Sequence, residues 1–118
     1  MNYEELEKIL LEKPGAWLDY PFGEGAAVFK VGSKMFALAR WNEDPLEINL
    51  KCDPDDAIVL REMFSAVKPG YHMNKRHWNT VTLDETVPEH MFLEMIEISY
   101  KLVFKSLKKA EREEILNS

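Results

Sequence analysis

"LEINLKCDPDDAIVLREMF", Leu46 to Phe64, decides the fold class, because two periodicities meet inside it. In its first seven residues apolar and polar positions alternate without exception. Leu46, Ile48, Leu50 and Cys52 fall on one side, and Glu47, Asn49 and Lys51 on the other. Successive side chains of a strand point to opposite faces, so this reads as a strand in a sheet with one dry and one wet side. The pattern then changes abruptly. Asp53 is a ready N-cap, Pro54 suits the first helical position, and Asp55 and Asp56 lie where the helix dipole favours anions. A helix is expected from there to about Phe64.

Working outward toward the N-terminus, "MFALARW" (35–41) and "AAVFKV" (26–31) flank a Gly32-Ser33 corner and read as a hairpin. "WLDYPFG" (17–23) reads as a strand ending in a turn marked by Pro21 and Gly23. Ahead of it, Asn2 and Glu5 make a capping-box-like start to a short helix striped by Leu6, Ile9 and Leu10, which Lys13, Pro14 and Gly15 end. Toward the C-terminus, "WNTVTL" (78–83) is β-branched and alternating, either a last strand or the second arm of a hairpin opened by "GYHMNK". Pro88 starts the longest helix. Its wet stripe is Glu94, Glu97, Lys101, Lys105 and Lys108; its dry one includes Met91, Met95, Ile98 and Leu102. "KKAEREEIL" extends this helix or forms a short terminal one. The order α-β-β-β-β-α-β-α predicts an α+β fold, with an antiparallel sheet of about five strands and helices packed on one face. Residues 1–118 are expected to form a single domain, the other sheet face being left for binding.

Composition narrows the function classes. At 118 residues, with 46% hydrophobic and 31% charged residues, the chain suffices for one core and is far from disordered compositions. No apolar run approaches the ~20 residues of a membrane span, and the acidic helix pattern at Met1 is unlike a signal peptide, so the expected location is the cytoplasm. The single cysteine, Cys52, excludes an internal disulfide and fits a reducing compartment. A net charge of −6 opposes nucleic acid and anionic lipid unless cations gather on one face.

They gather in one place. Between Glu62 and Asp84 there is no Asp or Glu, while Lys68, His72, Lys75, Arg76 and His77 stand among Tyr71 and Trp78. Lysine and arginine contact phosphates, and aromatic faces stack on exposed bases. The expected nucleic-acid surface is therefore Lys68, Tyr71, His72, Asn74, Lys75, Arg76, His77, Trp78 and Asn79. The competing reading is a structural turn in which Tyr71 and Trp78 plug the core while Lys68, Lys75 and Arg76 stay hydrated or pair with the surrounding acids. Other chemistries find less support. Cys52 lies on the apolar strand face and no base accompanies it, so no catalytic residues and no enzyme are expected. His72 and His77 lack zinc-ligand spacing, and "DPDDA" lacks the glycine and distal glutamate of a calcium loop, so no metal or other cofactor is expected. "FGEGAA" precedes a strand where a dinucleotide-binding loop would open a helix, and reads as a turn.

"YPFGEGAAVFKV", "LKCDPDDA" and "PGYHMNKRHWNTVTLD…VP" closely resemble the MmcQ/YjbR family of small bacterial proteins, over about Tyr3 to Leu107. The resemblance implies a compact α+β fold of the kind compared with bacterial frataxin (CyaY) and with secretion chaperones, described as a double-wing motif and labelled DNA-binding. Its characteristic block falls on Gly70 to Asn79, and its earlier turn on Pro21, Phe22 and Gly23. The expected partner is DNA, bound weakly and salt-sensitively. The alternative is a protein-interaction adaptor that docks a partner chain through the open sheet face or the terminal helix.

Overall fold

A computed structural model describes residues 1–118. Its elements are α1 (Tyr3–Leu11), β1 (Ala16–Asp19), β2 (Ala27–Val31), β3 (Lys34–Arg40), β4 (Glu47–Lys51), α2 (Pro54–Met63), β5 (Val67–Pro69), β6 (Trp78–Thr82), α3 (Glu89–Ser106) and α4 (Lys109–Leu116). The α+β class holds, and the sheet is antiparallel with six strands in the order β1-β2-β3-β4-β6-β5. The additional strand is β5. Three residues ending in a proline carry almost no periodicity, and Pro69 is tolerated because β5 lies at the sheet edge.

Local signals act where the sequence puts them. Asn2 Oδ1 accepts from the Glu5 amide at 2.9 Å and Asp53 Oδ1 from the Asp55 amide at 3.0 Å, so both helices are capped. Gly32, at φ 58, turns β2 into β3. The register between these strands shifts at Phe29/Lys30, so Phe36 and Ala37 are both core residues, and Phe36 meets Tyr100 of α3 edge-on at 5.4 Å.

One core cluster of 18 buried residues joins the sheet to α1 and α3. Rows of paired residues such as Ala27, Ala39, Ile48, Val81 and Val67 form its sheet side. The dry stripe of α3 is rotated from the expected one: Phe92, Met95, Ile96, Ser99, Tyr100 and Val103 are buried, whereas Met91 and Leu102 are half-buried and Ile98 is exposed. Ser99 explains the difference. Its hydroxyl donates to the Phe36 carbonyl at 2.6 Å and accepts from the Lys51 amide at 2.8 Å, so a polar residue occupies the middle of the buried face. The wet side assigned to β4 also needs correction, because Asn49 is buried. Its cover is the β5–β6 loop.

Candidate nucleic-acid interface

Alternation along the paired strands sorts their side chains, and the face away from the helices carries three rows. One runs Trp17, Lys30, Met35 and, beyond the bulge, Lys51 and Trp78; the central row runs Asp19, Val28, Leu38, Asn49, Thr80 and Lys68; the third holds Arg40, Glu47 and Thr82. The loop from Gly70 to His77 folds back onto this surface. Gly70 is required at its start, since a Cβ there would lie 2.9 Å from Trp78 Cβ.

Three polar groups pin the loop. The Tyr71 amide donates to Thr80 Oγ1 at 2.9 Å, the Thr80 hydroxyl donates to Asn49 Oδ1 at 2.5 Å, and Asn49 Nδ2 donates to the Tyr71 carbonyl at 3.4 Å. Tyr71 is thereby held over the centre of the sheet. Its ring lies 4.9 Å from the Arg40 guanidinium carbon and 4.0 Å from the His72 ring, and 58% of the residue is still exposed. Arg40 Nε donates to Glu47 at 3.2 Å, while its Nη2 is buried without a hydrogen-bond partner. From the other side, Arg61 of α2 donates to the carbonyls of Lys75 and Trp78 and to Asn79 Oδ1 at 2.7 Å. The loop is thus tied down at both ends.

The nine expected residues divide accordingly. Lys68, Tyr71, His72, Lys75 and Arg76 are exposed; His77 and Trp78 are half-buried. No carboxylate lies within 4.0 Å of the Lys68, Lys75 or Arg76 side chains and Tyr71 is exposed, so acid-paired cations and a core-plugging Tyr71 do not describe this loop, whereas hydrated cations and a half-buried Trp78 fit both readings. Lys75 Nζ does donate to the Gly70 carbonyl at 3.3 Å. Asn74 is exposed, but its side chain accepts from the Arg76 amide at 3.0 Å and shapes the turn. Asn79 must be removed from the set. It is buried on the helix side of the sheet, where Nδ2 donates to the Ala57 carbonyl at 3.4 Å, because it is one residue out of phase with Trp78 and Thr80.

The open face adds residues not expected from the sequence. Lys30 lies 5.0 Å from the Trp17 ring and donates to Asp19 at 3.0 Å, which holds that carboxyl below the usual carboxylate range. Lys51 is opposite Trp78 in the register and has no acidic partner within 4.0 Å. The available signal was one cation at an outward position of each of β2, β3 and β4, legible only once register is known. No three His, Cys, Asp or Glu side chains cluster as metal ligands. Burial pushes the Cys52 thiol up to about 11, as expected of a packing residue.

A six-stranded antiparallel sheet, helices on one face and a tied basic loop on the other define a small α+β domain whose second face has a buried central row (Val28, Leu38, Asn49 and Thr80) with a platform of cations and aromatic rings around it. The YjbR family model matches residues 11–102, and the chain belongs to that family. It is 35% identical to the uncharacterized protein YbdF of Escherichia coli O157:H7 over 96% of this chain and 93% of that one. With the uncharacterized protein YjbR of Escherichia coli K12 it shares 32% identity over 95% of both. A crystal structure of Deinococcus radiodurans protein DR2400, described as a DUF419 domain, superposes with a TM-score of 0.91 at 41% identity, covering 97% of this chain and 87% of that one.

Proposed function

We propose that this chain is a cytoplasmic DNA-binding module without catalytic activity, and that the platform is its contact surface. The observation that carries the reading is the absence of any carboxylate beside Lys68, Lys75 and Arg76, in a chain with 21 acidic residues against 15 basic. Cations held apart from such an excess of acid are available to phosphates. With about three phosphates neutralised, the affinity would fall with a log–log salt slope near −3, and the net charge of −6 would keep binding modest at physiological salt. Fluorescence anisotropy with labelled DNA at low and moderate salt tests this. The Lys75→Ala/Arg76→Ala double variant is expected to reduce both affinity and salt slope. Absence of any anisotropy change at low salt, or unaltered binding by the variant, would refute it.

A second reading, a protein-interaction adaptor, is favoured by α2, where Ile58, Val59 and Met63 are each at least half exposed. An Ile58→Glu/Met63→Glu variant that recovers the same partners in a pull-down as the parent, with the same elution volume, would remove it.

A further inference from the structure

Resting on the nucleic-acid reading above, we infer that the platform takes an unpaired strand in preference to a duplex, its bases stacking on Tyr71. Three features of the surface carry this. First, nothing stands free to enter a groove. A duplex is read by a helix or a two-stranded ribbon inserted into the major groove. Here the helices lie on the opposite face, and the loop that connects β5 to β6 is tied back. The Cys52 amide donates to the His77 carbonyl at 2.7 Å, Arg61 grips the Lys75 carbonyl, and Tyr71 is anchored to Thr80 and Asn49.

Second, the exposed rings have no use on closed base pairs. Tyr71 is 58% and Trp17 43% exposed, each with a cation about 5 Å from its ring, Arg40 and Lys30 respectively. The His72 ring, itself exposed, lies 4.0 Å from Tyr71 and extends it into a two-ring platform, and stacking on such platforms is how single strands are held without regard to sequence. Third, cations flank the rings rather than forming a separate stripe. Lys68 stands beside Thr80 in the same row as the Tyr71 anchor and Lys51 in the next row, where a backbone threading past Tyr71 meets them.

The experiment compares one fluorescein-labelled 12-nucleotide DNA strand with the same strand annealed to its complement, in low-salt anisotropy titrations of the intact chain. The single strand is expected to bind at least about tenfold more tightly. Tyr71→Ala is expected to weaken single-strand binding by roughly five- to 150-fold, the range for loss of one stacking platform, and to leave duplex binding nearly unchanged. Tyr71→Phe, which keeps the ring and the fold, is expected to retain single-strand binding. Equal or tighter binding of the duplex, or a Tyr71→Ala variant of unchanged single-strand affinity, would overturn the preference and leave the DNA-binding reading standing. Failure of both probes to bind would overturn the two together.

Discussion

Thr80→Val is nearly isosteric and removes one hydroxyl, which makes it a sharp probe of how the platform is held. In the parent chain that hydroxyl accepts from the Tyr71 amide and donates to Asn49 Oδ1. Asn49 is 1% and Thr80 6% exposed, so the orphaned Asn49 oxygen has no access to water. A buried acceptor left unsatisfied costs about 1–3 kcal/mol. The Tyr71 amide, at the base of an exposed residue, recovers a water partner if the loop lifts, and costs less. Valine's fit to a strand returns a few tenths of a kcal/mol. The net expectation is a loss of about 1.5–3 kcal/mol. In urea, with a slope of about 1–2 kcal/mol/M for a domain of this size, the midpoint falls by roughly 0.8–3 M at unchanged slope. Hydrogen exchange at the Tyr71 amide should accelerate with it. A midpoint within about 0.3 M of the parent, or a Tyr71 amide as protected as before, would show that the three-residue relay does not hold the loop.

Arg61→Ala should cost about 2–4 kcal/mol in thermal or urea unfolding, because the Asn79 side chain and the Lys75 and Trp78 carbonyls all lose a charged donor, and Arg61→Lys should restore little of it. Acid should weaken the tie between the α1–β1 turn and α3. Lys13 holds the Glu97 carboxyl below the usual carboxylate range by a hydrogen bond. A depressed folded value contributes stability above the unfolded pKa of about 4.3 and loses it as pH falls through the lower folded one. The Lys13→Met variant should therefore show a flatter decline of urea midpoint below pH 5 than the parent. Cys52, with its thiol at about 11, is ionised to only about one part in a thousand at pH 8, so a disulfide reagent should label the folded chain far more slowly than the urea-unfolded one.

Most elements were legible because their signals are local. Asn2, Asp53 and Pro54 mark helix starts, and Gly32 a hairpin, through bonds and dihedral angles within a few residues. The departures occur where a distant partner decides. Asn49 reads as a solvated strand residue because nothing nearby shows that Tyr71, 22 positions later, will cover it. Ser99 breaks the hydropathy stripe of α3, although its partners Phe36 and Lys51 make it part of the core. Asn79 stands in a cationic run and looks like a surface residue; pairing with Leu50 turns it under α2. The same limit applies to the candidate site. Charge clustering identifies Lys68, Tyr71, Lys75 and Arg76, whereas Lys30, Arg40 and Lys51 join them only through the sheet.

Backbone amide shifts recorded during titration with a short unlabelled DNA strand test the central claim most directly, since they report which face is touched. Perturbations concentrated at Lys68 to Trp78 and at Lys30, Arg40 and Lys51, with α1 and α3 unmoved, are the predicted result. Unchanged spectra at low salt, or perturbations confined to the helical side, would contradict it.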